Sequence, residues 1–560
     1  MTATSSTHPL RRPIPLLAII LAAIAVHGPL LLMELPLGSY DAHFHIFFAS
    51  HYAHHWFNPW NPKWFGGFSQ TTYPGLPQQW LAIFSFLTGF NLAYMLVQMI
   101  GICLLPVGVY RFSKLWVSDR AASYAALGSV FLGSLSFLVY EAGQLGTTFA
   151  LPLYLLALPY LYEWSRSAKG KSLIKGLLLS CAAAAAHHVT LIFGAALFAT
   201  PVCVKALMDR NDDGEHHSAA SVISRALVFA AIAAVACFVV LLPYFIAFLH
   251  NPIKQVPIPH ASRSNFLLNP EWGLNYFVVP YGAMLLALPY IFYKGWEQVK
   301  LRPLFLGFWV TFLCGLGGTT PVPRWLFGRA YWILTYERFT FWATVLALPF
   351  VGMAAAWLLD RYAKKAIIGL AAAAVITCAF AVSWTTFHPI NYDKGLDVKP
   401  VAAFLNRDGH DKYRYLTLGF GDHLSQLSTM TDADTVDGEY NSARMLPELT
   451  AYGAAQITNS KYYGTAGMES LRAILKHADK YGLKWIFVRD NFYEPLLAFA
   501  GWRQVDALDH GAVSVWSKDD VPPAQPVQAN YVPSQWEGLL WGILPVGSSL
   551  LALFAVILLP

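Results

Sequence analysis

The chain is dominated by apolar runs long enough to cross a bilayer, and that property decides what it can fold into. A helix needs about 20 apolar residues to span the hydrocarbon core, where no water satisfies a broken backbone. Twelve stretches qualify, roughly 13–33, 80–110, 121–140, 145–162, 172–187, 188–204, 226–249, 277–293, 303–318, 339–359, 366–386 and 538–560. The fifth and sixth could be one helix, but the imidazoles of His187 and His188 would be costly at the bilayer centre, which favours two short spans. Composition agrees. Of 560 residues, 56% are hydrophobic and 12% are charged. Soluble domains carry about twice that charged share, so an ordinary cytosolic enzyme is excluded. The six cysteines (Cys103, Cys181, Cys203, Cys237, Cys314 and Cys378) all fall inside apolar runs with no CxxC. That argues against disulfides and against a thiolate metal site.

Charge gives the expected orientation. The net charge is +6, yet residues 387–537 hold 14 Lys/Arg and 19 Asp/Glu, so the membrane part carries the excess cation. With a cytoplasmic amino terminus, the inner segments hold eighteen basic residues, beginning with Arg11 and Arg12. The short outer loops hold six: Lys63, Lys254, Arg263, Arg324, Arg329 and Arg338. This is the positive-inside pattern, and it predicts that residues 387–537 lie outside the cytoplasm. Ala23-Ile24-Ala25 also offers a signal-peptide-like cleavage site; cleavage there would still leave Asp41 outside. No basic stripe interleaved with aromatics suggests nucleic acid.

The expected architecture is therefore mainly α. A polytopic helical membrane domain spans residues 1–386 and includes an outer loop at 34–80. An extracytoplasmic α/β domain follows at 387–537, then a final transmembrane helix at 538–560. Within the outer domain, Tyr413–Gly419 and Lys484–Val488 read as short strands, Met468–Tyr481 as a helix, and Gln504–Trp516 as a hairpin turning at Asp509-His510-Gly511.

This topology sorts the polar residues to one side. Asp41, His43, His45, Glu141, Gln144, His187, His188, Arg263, Glu271, Glu337 and Arg338 all fall at outer ends of spans or in outer loops. Ionisable groups near a membrane boundary are expensive and usually functional, so one outer cleft formed by several loops is the simplest arrangement. Asp41 stands just past the first span, before a loop rich in aromatics and turn residues, and a carboxylate there can take a proton from an attacking acceptor. It could instead be an interfacial residue solvated by headgroups. Arg338 opens a late span, where a guanidinium can grip a phosphate bidentately; a salt bridge to Glu337 is the plainer role. Asp41, His43 and His45 could coordinate one divalent ion, and His51 with His55 share a helical face. The same imidazoles could be interfacial or could donate to phosphate. The acidic run Asp432, Asp434, Asp437, Glu439 misses calcium-loop spacing by one position and reads as a solvated turn.

The arrangement resembles the GT-C class of membrane glycosyltransferases, which contains oligosaccharyltransferases, protein O-mannosyltransferases and the bacterial lipid A aminoarabinose transferase. The resemblance rests on Asp41 in the first outer loop, the aromatic and Pro-rich stretch running through Gly66-Gly67 to Tyr73-Pro74, about a dozen spans, Arg338 heading a late span, and a carboxy-terminal outer domain. Within the class it is most similar to bacterial membrane proteins labelled 6-pyruvoyl-tetrahydropterin synthase-related, although the chain has no soluble pterin-synthase domain. It departs from the best-studied members in lacking an adjacent acidic pair, since Ala42 and His43 follow Asp41.

The resemblance implies a polyprenyl-phosphate-linked sugar as donor and a glycan, lipid or protein acceptor outside the inner membrane. Asp41 would be the base. Arg338, with His43, His45 or His187, would stabilise the departing phosphate, and one displacement with inversion would follow. Glu337, His188, Glu141 and Gln144 join these as candidate substrate-binding residues. A transporter or flippase, or a scaffold whose outer domain binds a partner, are the alternative expectations.

Overall fold

The computed structural model of the protein describes residues 12–211, 217–252, 256–387, 395–452, 456–529 and 531–558. Arg11 and Lys254 of the charge pattern, and the start of the outer segment at 388–394, lie outside these residues. Nine helices among the described residues are long and apolar enough to cross a membrane: Phe90–Ser113, Asp119–Tyr140, Leu145–Ser167, His188–Met208, Ala219–Val240, Pro270–Glu297, Glu337–Tyr362, Lys364–Phe387 and Gln535–Leu558. The remaining three expected spans are also helical but shorter: Leu16–Leu32, Gly170–Ala186 and Arg302–Gly315. The chain is a multi-pass membrane protein.

Two expected spans end differently, each for a local reason. The 80–110 run is two helices, Leu76–Thr88 and Phe90–Ser113, because Gly89 takes a φ of 75°, a backbone state that glycine enters without a Cβ penalty. The 226–249 run breaks at Leu241, just before Pro243. A proline inside a helix cannot donate to the preceding turn, so the chain restarts as Leu242–His250. At His187 the backbone is extended, and the helices Gly170–Ala186 and His188–Gly194 meet there as separate elements.

Beyond the membrane helices the chain forms a four-stranded sheet in the order β3-β4-β6-β5, with β3 Arg414–Leu418, β4 Leu483–Val488, β5 Arg503–Leu508 and β6 Val513–Ser517. β3 and β4 run parallel; β6 lies antiparallel to both β4 and β5. Side chains alternate across the central strands as the pleat requires. Leu416, Leu418, Ile486 and Val488 enter one apolar cluster, while Tyr415, Trp485 and Phe487 enter another on the opposite face. Burial on both faces explains why the two parallel strands read as nearly continuous apolar runs.

The loop after the first span is built onto this sheet. Its helix Ala42–His55 contributes Phe44, Phe47 and Phe48, and the segment after it contributes Trp64, Phe65 and Phe68, to the cluster that holds Leu416 and Ile486. Backbone bonds stitch the two parts together: Thr435 N donates to Lys63 O at 2.8 Å and Phe65 N to Asp437 O at 3.3 Å. Trp64 Nε1 donates to Ser428 Oγ at 2.8 Å, and Lys63 Nζ donates to Asp432 O at 2.7 Å. Within the loop, β1 Trp60–Asn61 pairs antiparallel with β2 Phe68–Ser69. Loop and outer domain thus share one core, although some 350 residues separate them in sequence.

Candidate active site

Asp41 immediately precedes the helix Ala42–His55, at the position where an aspartate normally accepts a bond from the first helical turn. It makes no such bond, forgoing a cap worth about 1 kcal/mol. Its carboxylate has no hydrogen-bond partner among the described residues, whereas its backbone is tightly held. Tyr40 N donates to Glu141 O at 2.8 Å, and Asp41 N donates to Ala142 O at 3.1 Å. Gly143, in the same turn, has a φ of +67°, and a Cβ built there would lie 2.6 Å from Ser39 Oγ and 2.8 Å from Asp41 N. Only glycine permits that approach. Burial pushes the Asp41 carboxyl up to about 7, against the opposing pull of Arg338, with Glu337 adding to the rise.

Gln144 closes the turn and reaches the start of the helix Glu337–Tyr362. Its Nε2 donates to Glu337 Oε1 at 2.6 Å, and its Oε1 accepts from Arg338 Nε at 2.8 Å. The expected Glu337–Arg338 salt bridge is therefore replaced by a shared amide. Among the described residues the two Nη groups of Arg338 have no partner. Asp41 and Arg338, nearly 300 residues apart in sequence, feel one another's charge without forming an ion pair.

The histidines divide by role. Gln78 Nε2 donates to His45 Nδ1 at 2.7 Å, and the same ring bonds the Gly143 backbone. Burial holds His45 down at about 3, so it is a neutral strut bracing the Gly143 turn. His43 is buried and pushed down to about 4, first by burial and then by His423. His187 Nδ1 bonds Thr190 Oγ1 at 2.8 Å across the helix break, and His187 and Arg338 influence one another electrostatically. The His188 ring packs 5.1 Å from Tyr244, and its buried Nδ1 has no partner among the described residues. Glu141 is buried and gives its carbonyl to Tyr40.

Several expected placements are corrected. Among the described residues no group of three or more His, Cys, Asp or Glu is placed to hold a metal ion. Asp41, His43 and His45 do not converge, because the His45 ring is committed to Gln78 and Gly143. His51 and His55 do stack, 4.9 Å apart, but His51 Nε2 is bound to Asn58 O. Glu271 is exposed. Arg263 donates to Leu334 O at 2.7 Å, bracing the segment before Arg338. The acidic run at 432–439 is no solvated turn. Asp437 is fully buried and accepts from Ile457 N at 2.9 Å and Thr458 N at 2.7 Å. Burial pushes its carboxyl up to about 6.

Three residues that the structure brings near Asp41 escaped the sequence reading as site candidates. Gly143 could have been found, since a glycine between two spans marks a turn. Asp422 and Glu439, from the outer domain, could not. Both are driven well above the carboxylate range, first by burial, then by each other or by Asp41, and nothing in the sequence joins them to residue 41. Glu439 is held by Ser425 N at 3.0 Å, and the buried Asp422 Oδ2 atom has no partner among the described residues.

No protein-family model and no curated protein matches the chain. Solved structures do match its fold. ArnT from Cupriavidus metallidurans bound to undecaprenyl phosphate is similar over 91% of this chain and 99% of its own, at 12% identity and a TM-score of 0.56. The oligosaccharyltransferase of Archaeoglobus fulgidus without ligand is similar over 87% of this chain and 70% of its own, at 14% identity and a TM-score of 0.50. The mycobacterial arabinofuranosyltransferase AftD matches 90% of this chain at 12% identity and a TM-score of 0.53, and this chain spans 40% of its length. The protein therefore has the GT-C fold, that of membrane glycosyltransferases, with a carboxy-terminal sheet domain.

Proposed function

We propose that the protein is a membrane glycosyltransferase that moves a sugar from a polyprenyl-phosphate-linked donor to an extracytoplasmic acceptor. The observation that carries this reading is the Glu141–Gln144 turn. It holds the backbone of Asp41 on one side and, through Gln144, a guanidinium whose two Nη groups have no partner among the described residues on the other. The ArnT structure, whose fold is shared over 91% of this chain, is bound to undecaprenyl phosphate, which supports a donor of that chemistry.

In the proposed step, the acceptor hydroxyl or amide gives its proton to a carboxylate oxygen of Asp41. The acceptor atom forms a bond to the anomeric carbon of the donor sugar. The bond from that carbon to the phosphate oxygen breaks, its electron pair stays on the phosphate, and the configuration inverts. The Nη groups of Arg338 meet the charge developing on that oxygen, an electrostatic contribution that is often the largest in catalysis. A carboxyl lifted to about 7 is a stronger base than a solvated aspartate, which suits proton abstraction near neutral pH. The lipid chain of the donor would lie along the apolar membrane helices, and the cleft would face the periplasmic side of the inner membrane.

The test is sugar transfer from polyprenyl-phosphate donors by purified protein, comparing wild type with Asp41→Asn and Arg338→Ala. Both variants are expected to lose at least 100-fold in rate, the scale of a general base or an oxyanion-stabilising group. Equal turnover in all three would reject the site. Absence of turnover with every donor would reject the activity and favour a scaffold.

A further inference from the structure

Glu337 and Arg338 are consecutive residues at the start of a helix, and neighbours one apart on a helix do not face each other. The Gln144 side chain instead stands between them, bonded to Glu337 at 2.6 Å and to Arg338 at 2.8 Å. The polarity of this bridge is determined. An ionised carboxylate only accepts, so the Gln144 amide must turn its NH2 group to Glu337 and its oxygen to Arg338. Thr147 Oγ1 also points to that oxygen, at 3.4 Å.

The contact on Arg338 is to Nε, the inner nitrogen of the guanidinium. A bond at Nε sets the rotation of the planar group and leaves both Nη atoms directed elsewhere, which is the geometry that bidentate phosphate binding requires. Without this restraint the guanidinium is free to swing toward Asp41 and neutralise it. Gln144 also belongs to the turn that holds the Tyr40 and Asp41 backbone through Glu141 O and Ala142 O. One four-residue turn thus registers both halves of the site.

We infer that Gln144 is a positioning residue that aims Arg338 at the donor phosphate and away from Asp41, with Glu337 setting the orientation of its amide. This replaces the expectation that Gln144 and Glu337 touch substrate, and it rests on the reading of Arg338 as the phosphate clamp.

A reciprocal exchange tests it. In the double variant Gln144→Glu/Glu337→Gln, the amide at 337 donates to the carboxylate at 144, which still accepts from Arg338 Nε, and the net charge is conserved. Gln144→Ala removes the relay and Gln144→Glu sets two carboxylates against each other, whereas Glu337→Gln keeps an acceptor for Gln144 Nε2 and removes only the charge that fixes the orientation of its amide. Two measurements are made on purified, monodisperse protein: affinity for undecaprenyl phosphate alone, and kcat and KM for sugar transfer. Gln144→Glu and Gln144→Ala are expected to bind undecaprenyl phosphate about tenfold more weakly, the loss of one charge-assisted hydrogen bond, with a further fall in kcat, and Glu337→Gln is expected to lose less. The double variant should recover to within about threefold of wild type. A double variant no better than the weaker single variant, or a Gln144→Ala protein that binds like wild type, would overturn the inference. If lipid-phosphate binding follows the pattern while no sugar is transferred by any form, the relay stands and the transferase reading falls.

Discussion

Gly143→Ala concentrates the account into one methyl group. The new Cβ would lie 2.6 Å from Ser39 Oγ, 2.8 Å from Asp41 N and 2.9 Å from Ala42 N, at a φ of +67°. The left-handed conformation alone costs alanine about 1–2 kcal/mol. Two of the three close atoms are backbone, so no rotamer change relieves the overlap. Restoring ordinary contact moves the Asp41 backbone, or the whole turn, by about half an ångström, and a misplacement of about 1 Å lowers a rate roughly 100-fold. The expected loss in transfer is therefore about tenfold or more, with folding weakened beyond the conformational cost. Gly501→Ala is the control: its φ is +80°, and a Cβ there meets nothing within 4 Å. Both variants should lose stability by thermal unfolding in detergent, and only Gly143→Ala should lose transfer with lipid-linked donor. A Gly143→Ala protein as active as Gly501→Ala, and no less stable, would refute the claim that this turn sets the position of Asp41.

The remaining predictions concern titration and the joint between loop and outer domain. With the Asp41 carboxyl at about 7 against an ordinary 3.8, transfer should rise with pH through about 7, and Asp41→Asn should abolish that limb of the profile. The same shift has a stability consequence of definite sign. The folded state keeps the Asp41 proton to higher pH than the unfolded chain does, so this contribution is full below 3.8 and is lost as pH rises through about 7. Asp41→Asn should therefore gain thermal stability over wild type at pH 8 and not at pH 4. Asp437→Ala orphans the Ile457 and Thr458 amides and should cost about 2–4 kcal/mol, read as a lower unfolding temperature and faster proteolysis of the outer domain. Trp64→Ala removes the bond to Ser428 and a ring stacked 3.9 Å from Phe47. It should cost about 3–5 kcal/mol and raise hydrogen exchange in residues 63–66 and 428–437 together; exchange confined to one of them would contradict the shared core.

Much of the fold was legible because each apolar run states its own secondary structure. Every expected span is helical, the break at His187 follows from two adjacent imidazoles, and β3, β4 and the β5–β6 hairpin follow from short alternating or apolar segments between turns. What failed to show depends on contacts across the chain. Phe44, Trp64 and Phe68 read only as part of an aromatic loop, because nothing local says that they pack on Leu416 and Ile486. The acidic run at 432–439 reads as solvated, because the burial of Asp437 comes from the loop at 63–66 and from the 457–458 backbone. At the site, charge and sidedness singled out Asp41 and Arg338 as a pair worth joining. His45 turns toward Gln78 and Gly143, a direction that spacing alone does not reveal. Gln144 was visible as a polar residue at a span end, but its role depends on which atoms face Glu337 and Arg338.

The most direct test of the central claim is a density map of the protein with undecaprenyl phosphate bound. The phosphate should sit within hydrogen-bond distance, about 3 Å, of the Arg338 Nη atoms, in the cleft that the Asp41 carboxylate lines. A phosphate bound elsewhere, or an Arg338 guanidinium turned away from it, would contradict the account.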